Sequence, residues 1–158
     1  MLKFEWPLIL SNDDNVRALS KATFDVAQYV VDIARTEGLA PGLKAVAGGI
    51  SVHLACHARA QNAGPKAAEM LRLLPDTEIQ VIERCSGHGG TFGILKETRA
   101  AAIKVGKPVA QAALRQGLAH IASECPLAAD HIVALMNDAM RRAEHPIEIL
   151  AASYGLEA

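Results

Sequence analysis

Three cysteines stand where short apolar runs end. Cys56 follows Ile50-Ser51-Val52-His53-Leu54-Ala55, Cys85 comes soon after Glu78-Ile79-Gln80-Val81-Ile82, and Cys125 soon after His120-Ile121-Ala122-Ser123. Each is followed by helix or turn chemistry. In a parallel α/β sheet the carboxyl ends of the strands line one crevice, where ligands bind. Three residues far apart in the chain could therefore meet at one edge. Thiolates are the usual ligands of zinc and of iron–sulfur clusters. Free cysteines are also among the most often buried residues, so three buried thiols are the bland alternative. Their equivalent positions favour a shared site.

The neighbours sharpen the chemistry. Cys125 precedes Pro126 and stands where a helix N-cap belongs, so the helix dipole favours its thiolate and makes it the expected most acidic thiol. Cys56 is followed by His57 and, soon after, by Arg59. Cys85 opens Ser86-Gly87-His88-Gly89-Gly90, the most glycine-dense stretch of the chain. Ser86, Gly87, Gly89 and Gly90 could bring backbone N–H groups against a cluster or a phosphate. The stretch lacks the spacing of a P-loop or a dinucleotide-binding turn, which makes the nucleotide reading weak. His57 and His88 lie within three residues of a cysteine and are candidate further ligands. His53, inside a strand, reads as a satisfied histidine rather than a ligand. His131 lies six residues beyond Cys125, one or two turns into its helix, and is expected to point away from it, and His145, before Pro146, reads as a cap or packing residue.

The elements that must position these residues follow from period and punctuation. Ser11-Asn12-Asp13-Asp14 offers N-caps. Behind it Val16, Leu19, Thr23, Val26, Val30 and Ile33 recur at helical spacing, which predicts one helix of about six turns ending near Gly38. Strands are expected at about 49–55, 78–83 and 119–124. A polar loop should span 57–64, with a helix from Pro65 to Leu74. A long helical pattern runs from about Ile94 to Gln116, which Gly106 and Pro108 should kink or divide. A helix from Pro126 to about Arg142 and a short one opened by His145-Pro146 complete the chain. The fold class is therefore α/β, with a small, mostly parallel sheet covered by helices and a site at the carboxyl edge of the strands. Residues 1–48 form a helical segment packed on a cysteine-rich domain over 49–158, as one globular unit.

Composition bounds the function. The chain has 158 residues and a formal net charge of −1, enough for one core and without the basic face that nucleic acid requires. Its apolar runs fall far short of the ~20 residues that span a membrane. The opening Met1-Leu2-Lys3-Phe4-Glu5-Trp6-Pro7 lacks the regions of a signal peptide, and an odd number of cysteines fits a reducing compartment; the expectation is a cytoplasmic protein.

Three segments carry a resemblance. Leu54-Ala55-Cys56-His57-Ala58-Arg59, Glu83-Arg84-Cys85-Ser86-Gly87-His88-Gly89-Gly90-Thr91-Phe92-Gly93 and Glu124-Cys125-Pro126-Leu127-Ala128 resemble the cysteine-rich CCG domain. That family includes the cysteine-rich component of heterodisulfide reductase and the iron–sulfur component of anaerobic glycerol-3-phosphate dehydrogenase. Its repeat runs Cys, then Cys-Cys-Gly, then Cys-x-x-Cys. Here 28 residues separate Cys56 from Cys85, and 37 separate Gly87 from Cys125. The chain is similar to the second repeat of the longer, two-repeat members. Two positions depart from the pattern: Ser86 replaces the second cysteine of Cys-Cys-Gly, and Ala128 the last of Cys-x-x-Cys.

The resemblance implies an iron–sulfur cluster. The full motif offers five cysteines, and three remain. Cys56, Cys85 and Cys125 would hold a 4Fe-4S cluster with one non-cysteine ligand, or a zinc ion completed by His57 or His88. Ser86 and Ala128 should face the same pocket and leave it partly open. The implied role is an electron-transfer domain or subunit of a heterodisulfide-reductase-like oxidoreductase, a component rather than a complete enzyme. Its partners would be other redox subunits or the remainder of a longer two-repeat protein. Two alternatives stay open: a zinc-binding or metal-free degenerate repeat acting as a structural or interaction module, and a thiol enzyme with Cys125 as nucleophile.

Overall fold

Capping aspartates set the first helices. In the computed structural model, which describes residues 1–138 and 140–156, the Asp13 carboxylate accepts the N–H groups of Asn15 and Val16 and opens α2 (Asp14–Ala22), after a short α1 (Trp6–Ile9). Asp25 accepts from Ala27 and Gln28 and opens α3 (Val26–Thr36). The single helix expected over this stretch is therefore two. The apolar period runs straight through, but Thr23 is already extended, and an aspartate at an N-cap competes with helix continuation.

Four parallel strands follow: β1 (Ile50–His53), β2 (Ile79–Ile82), β3 (His120–Ser123) and β4 (Ala143–Glu144), in the order β2-β1-β3-β4. Between β1 and β2 lie α4 (Cys56–Ala60) and α5 (Lys66–Leu71). A 3₁₀ turn at Gly90–Gly93 and α6 (Arg99–Gln116) connect β2 to β3. Then come α7 (Pro126–Met136) and, after β4, α8 (Pro146–Ser153). The fold is α/β with an all-parallel sheet. The short α4 departs from expectation; the stretch reads as polar loop, yet it forms a helix whose first residue is Cys56. β4 is likewise an addition, and α7 ends at Met136 because Asn137 adopts a left-handed conformation.

The chain moves from β1 to β2, then back across β1 to β3. Right-handed crossovers travelling in opposite directions put their helices on opposite faces. Accordingly, Ile50, Val52 and Ala122 pack with α3, α5 and α8 on one face. Ile82 and Ile121 pack with α6 and α7 on the other. Because α3 supplies Ala27 and Val31 to the first of these cores, α3 and the sheet share one hydrophobic interior.

The long helix α6 is neither divided nor shortened at Pro108. Pro108 is exposed, so the carbonyl that it leaves unbonded faces water. Gly106 is buried: an added Cβ would lie 2.5 Å from both Leu135 Cδ1 and the Ser86 carbonyl. Its smallness lets α6 approach α7 and the loop after β2. The expected first turn, Ile94 to Thr98, is not helical; Arg99 fastens that segment instead, donating to the Gly93 carbonyl at 2.9 Å. Among the described residues no helix is long and apolar enough to cross a membrane.

Candidate functional site

The register brings the cysteine-bearing segments together. His53 pairs with Ile82 on one side and Ser123 on the other. Three adjacent strands thus end level, and each is followed within three residues by a cysteine: Cys56 after β1, Cys85 after β2, Cys125 after β3. The order 2-1-3-4 reverses direction between β1 and β3, and ligands of open α/β sheets bind at that switch point, outside the carboxyl ends of the strands. Cys56 and Cys125 flank it.

The sulfurs differ in their surroundings. All three cysteines are free thiols; Cys56 and Cys85 are exposed and Cys125 is half-buried. The Cys85 Sγ accepts the Gly87 N–H at 3.4 Å. Cys125 occupies the N-cap of α7 as expected, but its sulfur takes no capping hydrogen bond, so the helix N–H groups are not what engages it. Among the described residues no three Cys, His, Asp or Glu side chains are gathered to hold a metal ion. The expected convergence is therefore one of backbone positions, not a ready-made ligand set. Thiolates with backbone N–H donors fit a soft metal in donor chemistry; the present side-chain arrangement does not yet fit one in geometry.

The candidate histidines part company. His57 is exposed on α4 and borders a cavity of about 620 Å³ that it shares with the Met1–Glu5 segment, Phe24 and Asp25. On the other side of α4, Ala58 and Arg59 border a cleft of about 540 Å³ reaching Arg72 and Glu83. His88, within the glycine loop, is buried, its ring centroid 6.5 Å from that of His131. Arg99 donates to His131 Nδ1 at 3.4 Å, and His131 Nε2 is buried without a hydrogen-bond partner. Burial holds the His131 pKa below the usual value, and Arg99 and His88 push the same way; the nearby Ala102 carbonyl, short of hydrogen-bonding geometry, opposes them.

Ser86 and Ala128 are 6% and 4% exposed, so these two positions are closed to solvent rather than opening a pocket. The Ser86 Oγ accepts the His88 N–H at 3.4 Å. Gly87 has φ +79°, and an added Cβ would sit 2.3 Å from the Ala102 carbonyl oxygen, so the loop lies flat on α6 there. Gly89 and Gly90 also have positive φ and are exposed. His145 caps α8, accepting the Ile147 N–H, while Glu148 accepts the His145 N–H.

Two polar residues in the sheet were not assigned to the site from sequence. Central strands of a parallel sheet usually read as unbroken apolar runs. Here His53 is 2% exposed and Ser123 is 0% exposed, side by side on the α6 and α7 face. His53 Nδ1 lies 3.0 Å from Ser123 Oγ, its Nε2 lies 2.9 Å from the Arg84 carbonyl, and Ser123 Oγ accepts the Cys125 N–H at 3.3 Å. Burial lowers the His53 pKa; the bond to Arg84 opposes this and the Arg59 charge adds to it. The available signal was a polar residue at the end of each of two apolar strands, just before Leu54-Ala55 and just before Glu124-Cys125.

Glu124 adds an ionisable group at the same edge. Burial, and then the Asp25 carboxylate, push its pKa up to about 7. No protein-family model matches the chain, and no curated protein matches it.

Proposed function

We propose that the carboxyl edge at the β1/β3 switch point binds an iron–sulfur cluster through Cys56, Cys85 and Cys125, as part of a heterodisulfide-reductase-like electron-transfer assembly. The observation that carries this reading is the register: three level, adjacent parallel strands, each followed within three residues by one of the chain's three cysteines. When bound, a cluster of the 4Fe-4S kind supplies one-electron chemistry. The chain supplies thiolates, and a backbone N–H already directed at one sulfur. Such hydrogen bonds are one lever on a cluster's potential. His57 is favoured over His88 as an added donor, since it is exposed beside Cys56 whereas His88 is buried against His131. The proposed partners are other redox subunits or the remainder of a two-repeat protein of the CCG type. The exposed apolar side chains of Leu8 and Ile9 on α1 suit such a contact.

One observation favours a second reading. No three metal-ligating side chains are gathered among the described residues. This suits the metal-free form of the alternative, a degenerate repeat that serves as an interaction module, since a structural zinc would itself need four converging ligands. Anaerobic purification and reconstitution, with iron, acid-labile sulfide and zinc analysis, separates the two. Iron and sulfide in equal amounts, with visible charge-transfer absorbance lost in the Cys56→Ser, Cys85→Ser and Cys125→Ser variants, is the expected result. Protein that takes up zinc alone, or neither metal, overturns the cluster and supports the module.

A further inference from the structure

We infer that His53 and Ser123 are positioning residues that tie the Cys85 loop to the Cys125 backbone, so that two of the three cysteine segments move as one unit. The relevance to a cluster rests on the function proposed for this edge; the coupling itself does not.

Donor and acceptor directions close on a single arrangement. A carbonyl can only accept, so the His53 Nε2–H donates to the Arg84 carbonyl. A neutral imidazole then has Nδ1 free to accept, and the Ser123 hydroxyl donates to it. The Ser123 oxygen keeps a lone pair for the Cys125 N–H. Each group is used in the only role left to it. The path runs from the carbonyl next to Cys85, through β1, to the amide of Cys125.

The strand ladders do not do this work. Pairing of β1 with β2 ends at Ile82, and pairing of β1 with β3 ends at Ser123. Arg84 and Cys125 each lie two residues beyond those ends, and the His53 and Ser123 side chains reach out to both. Cys56 lies outside the path and serves as an internal reference. Burial lowers the His53 pKa and so favours the neutral ring, in keeping with the acceptor role that the geometry gives Nδ1. A histidine that merely filled space could be replaced without any cysteine responding.

The test uses metal-free full-length protein, so it stands or falls independently of iron binding. Alkylation rates by iodoacetamide are read at each cysteine by mass spectrometry for the wild type, Ser123→Ala, Ser123→Thr and His53→Gln. Loss of a net hydrogen bond should speed alkylation of Cys85 and Cys125 roughly two- to tenfold in Ser123→Ala, with Cys56 unchanged and Ser123→Thr near wild type. Equal acceleration at all three cysteines indicates general loosening and overturns the inference, as do unchanged rates at Cys85 and Cys125. If the variants do not fold, nitrogen-15 NMR of the wild-type imidazole still decides. The Nε2–H tautomer with a slowly exchanging Cys125 amide is expected, and the Nδ1–H tautomer overturns the arrangement.

Discussion

Replacing Gly87 by alanine tests how the Cys85 loop is held, with Gly90→Ala as its internal control. Both glycines have positive φ, +79° and +60°, so each alanine carries the left-handed penalty of roughly 1–2 kcal/mol. Their surroundings differ. At Gly90 nothing lies within 4 Å of an added Cβ, and the penalty stands alone. At Gly87 the Cβ would lie 2.3 Å from the Ala102 carbonyl oxygen and 2.8 Å from the Gly106 nitrogen. Both are backbone atoms of α6, which cannot swing aside as a side chain would. The loop must lift, adding an overpacking cost of about 1–3 kcal/mol. Gly87→Ala should therefore lose about 2–5 kcal/mol, and Gly90→Ala about 1–2 kcal/mol. Against a typical total of about 5–15 kcal/mol, the first is a large fraction. Urea unfolding followed by circular dichroism reads both, with the slope as a check that the transition remains two-state. Lifting the loop should also break the Gly87 N–H bond to Cys85 Sγ and change Cys85 alkylation in the folded variant. Equal losses for the two substitutions would refute the claim that close approach to α6 anchors the loop.

The remaining predictions concern charge and the long helix. Glu124 has a pKa near 7 in the fold against an ordinary 4.5, so its contribution is fully present below about pH 4.5 and is lost as pH rises through about 7. The effect is at most about 3 kcal/mol. In metal-free protein the stability of the wild type relative to Glu124→Gln should fall across that window and level off above it, read by urea midpoints at a series of pH values; a flat difference contradicts the assignment. Asp25→Ala should remove the cap of α3, at about 1 kcal/mol, and also narrow the Glu124 pH effect, because one of its two causes is gone. A narrowed effect with no cap loss, or the reverse, would separate the two roles. Pro108→Ala should stabilise the protein, by up to about 3 kcal/mol, since it restores a helix donor on an exposed face. A lower melting temperature would mean that the ring has a packing role.

The local chemistry of this chain is written in its order. Apolar runs bounded by glycine and turn residues marked β1, β2 and β3 to within one or two residues. Cys125-Pro126 and His145-Pro146 marked the starts of α7 and α8, because caps and prolines act on their own neighbours. The position of each cysteine just past a strand was legible for the same reason. Where two local signals competed, period prevailed wrongly: the helical spacing through Val16 and Ile33 hid the cap at Asp25, and the polarity of 57–64 hid α4. Pro108 does not divide α6, one of its two expected effects, because its exposed face leaves the lost hydrogen bond to water, and exposure is decided by packing.

What lies beyond local order belongs to the tertiary structure. The strand order β2-β1-β3-β4 and the level register come from pairing across long separations, and they place the switch point between Cys56 and Cys125. His53 and Ser123 are 70 residues apart, and neither shows in isolation that it will be buried against the other. Burial makes them matter, because an unpaired polar group inside the sheet is costly and the pair can be satisfied only by each other and by the backbone of the cysteine segments. The sequence determines that three thiols stand at strand ends; packing determines which of those ends are tied together.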